Sequence, residues 1–160
     1  AERGWGLTEI WLTHHHGDHI AGAPALAAAT GARITGAAAD AHRLPPLDRA
    51  VAPGETFDFA GHPVHVIDAS GHTVGHLAYH VPGAGVAFTG DSLMAAGCGR
   101  MFEGTAPMFL ASLRRLAALP ADTLVASGHE YTAANLRFAL SLEPARPSLI
   151  LRNGEVAALR

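Results

Sequence analysis

Apolar positions along the chain come in short runs rather than in one long periodic stretch. Leu7 to Thr13 is the first, a run that predicts a buried strand and ends directly on His14. The Ala/Leu-rich stretch Ile20 to Thr30, closed by Gly31, predicts a helix with a glycine stop. Arg33 to Thr35 predicts a strand and Ala37 to Arg43 a short helix, after which Pro45-Pro46 and Pro53-Gly54 punctuate a loop. Glu55 to Phe59 and Pro63 to Ile67, separated by Ala60-Gly61-His62, predict a hairpin. Leu77 to Val81 and Val86 to Thr89 repeat that pattern around Pro82-Gly83-Ala84-Gly85. Met108 to Leu119 has helical periodicity, with Phe109, Leu113 and Leu116 on one side and Arg114 and Arg115 towards another. Leu124 to Ala126 predicts a short buried strand, Ala133 to Leu142 a helix, and Ser148 to Arg160 a further helix weakened by Gly154. Strands, hairpins and helices in this order, without repeat or linker, predict α/β layers in one domain.

Composition narrows the function classes. With 160 residues, 49% hydrophobic and 16% charged, the chain has the size of one domain and can bury roughly 70% of its unfolded surface without disulfides. Cys98 stands alone, so an internal disulfide is excluded. A net charge of −3 without a basic block gives no footprint for nucleic acid or anionic lipid. No run approaches the ~18 apolar residues of a membrane helix, and the start Ala1-Glu2-Arg3 does not read as a secretory signal. A cytoplasmic monomer acting on a small molecule is the expectation. The 33 alanines, with no lysine, say little about function. The 11 histidines say more, because imidazole is the commonest metal ligand and the usual base near neutral pH.

Position decides what the histidines mean. His14, His16, Asp18 and His19 fall within six residues directly after a strand, and alternate side chains there can converge on one point while the others turn to a neighbouring one. Two ions fit that arrangement better than one. Three further strand ends deliver similar groups: Ser70 to His76 carries His72 and His76, Phe88 to Ser92 carries Asp91, and Val125 to Tyr131 carries His129. Each has a bland explanation alone, as a turn former or a structural histidine. Four strand ends aimed at one sheet edge point to a site, since sites in α/β folds gather at strand termini.

With these segments the sequence resembles the metallo-β-lactamase superfamily and, within it, the hydroxyacylglutathione hydrolases, or glyoxalase II. The carrying segments are Leu12 to His19, Gly71 to His76, Phe88 to Leu93, Ala96 to Thr105 and Leu119 to Pro144. The resemblance implies an αββα sandwich lacking its first strands, with a catalytic domain over residues 1–131 and part of a C-terminal helical segment over 132–160. It implies a first metal on His14, His16 and His72, a second on Asp18, His19 and His129, and Asp91 bridging them. Zinc is the expected metal, with iron or manganese as substitutes. Asp18 is the expected catalytic residue, and Arg100, Phe102 and Tyr131 are the expected glutathione contacts. Arg100 stands where many relatives have Lys, and Phe102 where relatives often have Tyr. Cys98 is expected to be a small packing residue, Asp68 a solvated carboxylate, and His15 and His76 non-ligands. The implied activity is cleavage of S-(2-hydroxyacyl)glutathione, such as S-D-lactoylglutathione, in methylglyoxal detoxification. The resemblance also predicts strands before, and basic residues after, the segment seen here, so a truncated chain is the expectation. Two other readings stand beside it: a glutathione persulfide dioxygenase with one iron on His14 or His16, His72 and Asp91, and a metal-binding but inactive fragment.

Overall fold

The computed structural model describes residues 4–159. Two sheets face each other. The first is parallel, in the order β1 (Glu9–Trp11), β2 (Arg33–Ala37), β3 (Arg49–Val51). The second runs β4 (Thr56–Phe59), β5 (His62–Asp68), β6 (Leu77–Val81), β7 (Val86–Gly90), β8 (Leu124–Ser127), antiparallel except for the parallel β7–β8 pair. Between them, Ala37 and Val51 of the first sheet pack with Val64, Val66, Leu77, Tyr79 and Val81 of the second. β6 is buried along its whole length, which is why Leu77 to Val81 reads as a continuous apolar run broken only by His80.

Two helices cover the outer faces. On the first sheet, Ala23 of helix α2 (Ala23–Thr30) packs with Leu12 and Ile34. On the second, Leu116 of helix α3 (Ala106–Ala117) packs with Ala69 and Ala78. The layers are therefore α, β, β, α, as expected. α3 begins where Thr105 accepts the Met108 amide at its N-terminus. α2 ends where Gly31, at φ 75°, takes the left-handed conformation and its amide returns to Ala27. After β8 come α4 (Thr132–Leu142) and α5 (Pro147–Ala158), which pack on each other.

Several boundaries differ from the expectation for physical reasons. The helix expected over Ile20 to Thr30 is two pieces, the four-residue α1 (Gly17–Ile20) and α2, separated at Ala21-Gly22. The break lets α1 hold Asp18 and His19 at the loop's end instead of continuing the axis of α2. The residues after Thr35 extend β2 to Ala37 and then make a single 3-10 turn, Ala38–Asp40, where a short helix was expected. β3 lies in the segment expected to be loop. Three residues are too few for periodicity, and the pairing comes from tertiary bonds, the Asp48 amide to Ile34 O at 2.9 Å and the Ile34 amide to Asp48 Oδ2 at 2.8 Å. The final helix runs Pro147–Ala158, one residue earlier than expected at its start and ending before Leu159, and Arg160 lies outside the described residues. No helix among the described residues is long and apolar enough to cross a membrane.

Candidate metal centre

The chain enters the site from β1. Tyr79 Oη donates to Leu12 O at 2.8 Å and the Leu77 amide to Thr13 O at 2.8 Å, so β6 fixes the last two residues before His14. His14 is 1% exposed, and its Nδ1 lies 3.1 Å from Thr13 Oγ1; in the tautomer with the proton on Nδ1, Nε2 is left as a lone pair. That lone pair is 3.1 Å from His16 Nδ1, which is in turn 3.0 Å from His72 Nε2. A tetrahedral ion with nitrogens at ~2.0–2.1 Å holds them about 3.3–3.4 Å from one another, close to what the three imidazoles present.

His72 is set from behind. Its Nδ1 donates to the Arg100 carbonyl at 2.6 Å, which fixes the tautomer and aims Nε2 at the cluster. The Phe102 amide closes the same loop on His72 O at 3.1 Å. Asp68 braces the approach to His72: it accepts from Ser70 N at 3.1 Å and Ser70 Oγ at 2.6 Å and pairs with Arg115 at 3.0 Å. The expectation of a solvated carboxylate is thereby corrected.

A second cluster forms at α1 and the end of β8. His19 Nε2 is 3.3 Å from His129 Nε2, and Asp18 Oδ2 lies 3.6 Å and 3.3 Å from these two nitrogens. Asp91 stands between the clusters, with Oδ1 3.3 Å from His19 Nε2 and Oδ2 3.5 Å from His72 Nε2 and 3.3 Å from His129 Nε2. A register shift between Phe88 and Gly90 carries the chain out of β7 and delivers this carboxylate. Asp91 Oδ1 is buried and accepts no hydrogen bond, an orphaned anionic oxygen aimed at imidazole lone pairs. A cation between the donors satisfies it. Gly128 allows the approach, since a Cβ there falls 2.3 Å from Asp91 Oδ1 and 2.7 Å from His19 Cε1.

The electrostatics favour unprotonated donors. Burial, with the nearby His76 and His19, pushes His14 down to about 2, and burial followed by His72 lowers His16. Burial alone raises Asp91, but the adjacent imidazole of His19, with His129 and His14, outweighs it and holds the carboxyl at about 2. His19 is raised, chiefly by Asp91. His14 and His16 thus offer lone pairs and Asp91 a carboxylate, the states that a metal requires, whereas His19 is biased towards holding a proton that a metal would displace.

The structure brings together all seven residues expected to ligate. Three triplets have donor atoms within 4.8 Å of one another: His14, His16 and His72; His14, His19 and Asp91; and Asp18, His19 and His129. Of the expected substrate contacts, the Phe102 ring meets His16 and His72 at 5.6 Å and 5.3 Å, and Tyr131 stacks on His129 at 5.3 Å. The exposed Arg100 guanidinium lies 5.7 Å from the Phe102 ring centre. Cys98 is exposed, contrary to its expected packing role. His15 and His76 lie outside the donor triplets, yet both hold the site. His76 is fully buried, stacks on His14 at 4.7 Å and accepts the Asp91 amide at 3.2 Å. His15 donates from Nδ1 to Asp40 at 3.0 Å. Sequence reasoning missed the Arg100 carbonyl and Asp40, since a backbone acceptor leaves no residue-type signal and Asp40 falls inside the segment expected to be a short helix.

Comparison with known proteins places the fold. A profile described as the Metallo-beta-lactamase superfamily matches residues 1–129. The chain belongs to the metallo-β-lactamase superfamily. Within it, the chain is 63% identical over 160 residues to a Cereibacter sphaeroides protein named hydroxyacylglutathione hydrolase. It is 59% identical over 160 residues to one of the same name from Fuscovulum blasticum. All of this chain is covered in both cases, and it spans 63% of each relative's length. Among solved superfamily structures, ETHE1 from Myxococcus xanthus superposes with a TM-score of 0.71 at 34% identity, over 81% of this chain and 57% of that one.

Proposed function

We propose that this chain is the metal-dependent part of a hydroxyacylglutathione hydrolase, cleaving S-(2-hydroxyacyl)glutathione to glutathione and a 2-hydroxy acid. The observation that carries this reading is the second cluster: Asp18, His19 and His129 converge beside His14, His16 and His72 and share Asp91 with them. A single-iron centre on His14 or His16, His72 and Asp91 leaves that second set without a task. The names of the relatives at 59% and 63% identity support the same choice.

In this reading His14, His16 and His72 would hold one ion and Asp18, His19 and His129 the other, with the Asp91 carboxylate standing between the two sets. Zinc is the proposed metal, with iron and manganese suited to the same donors. Bound there, divalent ions would supply Lewis acidity, lowering the pKa of a water towards neutrality and polarising the thioester carbonyl. Asp18 is the one exposed carboxylate of the set, so it is the group proposed to accept a hydrogen bond from the attacking water and turn a lone pair onto the carbonyl carbon. Water adds to the carbonyl carbon as its proton passes to Asp18 and on to solvent, and the adduct then collapses with cleavage of the C–S bond, the electron pair leaving on glutathione sulfur. A thiol of pKa about 8.5 leaves as thiolate with little need of an acid. Arg100 beside Phe102 is the proposed cation for a glutathione carboxylate, and Tyr131 the opposite wall. Helices α4 and α5 are the proposed flank of that side, and Asn135 Nδ2 of α4 donates to Ala95 O at 3.0 Å.

The test compares two substrates on the zinc- or iron-loaded chain. The proposal expects loss of the S-D-lactoylglutathione thioester, abolished by a chelator. Oxygen uptake with glutathione persulfide and no thioester cleavage supports the dioxygenase reading instead. Stable metal content with neither reaction supports an inactive fragment.

A further inference from the structure

Four ionisable side chains outside the seven donors touch one another beside the first cluster: His15, Asp40, Arg43 and Glu103. Asp40 is 2% exposed, and a buried carboxylate is costly unless its oxygens are paired. His15 Nδ1 donates to Asp40 Oδ2 at 3.0 Å and Arg43 Nε to Asp40 Oδ1 at 2.6 Å. Arg43 then turns its outer edge elsewhere. Nη1 donates to Glu103 Oε1 at 2.5 Å and Nη2 to Val74 O at 2.9 Å, while Glu103 Oε2 accepts the Val74 amide at 2.8 Å. Both polar groups of the Val74 backbone are therefore taken by this pair. Arg43 in turn holds the Glu103 carboxyl below its ordinary value.

The position of these bonds matters more than their number. Val74 is two residues beyond His72, and Glu103 is three beyond Arg100, whose carbonyl orients His72 Nδ1. The 72–74 and 100–103 segments thus meet at His72 with Arg100, at His72 with the Phe102 amide, and at Val74 with Glu103. Only the last of these contacts uses charged side chains. It is anchored through Arg43 to buried Asp40, and from there to His15 between His14 and His16. A lone surface ion pair contributes little to stability. A planar guanidinium that ties two carboxylates and a carbonyl is a geometric clamp as well as a charge pair.

We propose that Arg43 and Glu103 are positioning residues of the metal centre: their clasp keeps the Arg100 carbonyl on His72 and so slows release of the ion held by His14, His16 and His72. The inference rests on the reading that these three residues hold an ion, and not on the identity of the substrate. Asp40 is the buried footing of the clasp, and His15 its link to the ligand loop.

The experiment is zinc release from the fully loaded chain into excess chromophoric chelator. Wild type is expected to give a fast phase from the exposed cluster and a slow phase from the buried one. Glu103→Ala and Arg43→Met are expected to speed the slow phase about 10- to 100-fold, the range for loss of a group that orients a ligand. The fast phase stays unchanged, and the melting temperature of the metal-free chain stays near that of wild type for Glu103→Ala. Glu103→Gln recovers part of the slow phase because its amide oxygen still accepts from Val74. Glu143→Ala, which removes the surface partner of Arg146, serves as the control without effect. A slow phase unchanged in both Glu103→Ala and Arg43→Met overturns the proposal. Equal acceleration of both phases with a matching fall in melting temperature also overturns it, since that is general loosening. A wild-type chain without a slow phase overturns the metal reading beneath it, whatever thioester assays show.

Discussion

His14 and His72 are 1% and 3% exposed, whereas the Asp18 side chain keeps 60% of its surface and that of His129 keeps 29%. The two donor clusters share Asp91 but differ in what stands behind them. Each imidazole of the first has a partner that fixes it: Thr13 and the stacked His76 for His14, the Arg100 carbonyl for His72, and the flanking rings of His14, His72 and Phe102 for His16. The second cluster rests on a four-residue helix and on the residue just past Gly128, and its carboxylate faces solvent. The comparison assigns retention to the buried cluster and access to the open one. A metal held by preorganised ligands is kept, and a metal beside an exposed carboxylate can meet water and substrate.

The largest expected effect comes from breaking the buried side. His72→Ala removes a proposed ligand and is expected to lower first-ion affinity by more than the roughly 100-fold typical of losing an orienting partner. Elemental analysis after gel filtration reads this as loss of that ion. His129→Ala acts on the open side and is expected to reduce the content from two ions to one, with the remaining ion as slowly released as in wild type. If His129→Ala emptied both positions, retention would not be separable from access, and the contrast would fail.

Arg100 sharpens the contrast because its carbonyl serves the buried cluster while its guanidinium is exposed. Arg100→Ala leaves the carbonyl in place, so metal content should hold. Loss of a charge-assisted contact to a glutathione carboxylate is expected to raise KM about 10- to 150-fold with kcat little changed. Kinetics on a lactoylglutathione thioester and on a short thioester lacking glutathione's carboxylates measure it, and an equal loss on both removes Arg100 from substrate recognition.

The smallest effect tests the buried side without metal. Burial, followed by His72, pushes His76 down to about 3, so its folded pKa lies below its unfolded value of 6.5. Between those values the unfolded chain binds the proton that the folded chain refuses. Stability of the metal-free chain is then complete above pH 6.5 and falls as pH drops below it, by about 1.4 kcal/mol per pH unit for this group. Urea unfolding in the presence of chelator reads the slope, and His76→Gln should flatten it. A slope unchanged in that variant would remove His76 as its source.

The two regions also differ in how they show in the sequence. His14, His16, Asp18, His19, His72, Asp91 and His129 are legible because chemistry demands particular residue types at strand ends, and the α, β, β, α layering follows from apolar runs. What supports the buried cluster is written in backbone. The Arg100 carbonyl, the Asp91 amide on His76 and the Gly128 approach to Asp91 depend on where loops meet. Asp40 and Glu103 lie 25 and 88 residues from His15, and nothing local in either segment announces the meeting. β3 escapes for the same reason, since its three residues are held by Asp48 and Ile34 rather than by their own periodicity.

The central claim is that catalysis needs both clusters at once. The most direct measurement is the initial rate of S-D-lactoylglutathione hydrolysis against zinc ions per chain, titrated into the metal-free protein, with His129→Ala alongside. The account predicts little turnover up to one ion, a steep rise towards two, and an inactive His129→Ala that still holds one ion. Full turnover at one ion per chain, or an active His129→Ala, would contradict it.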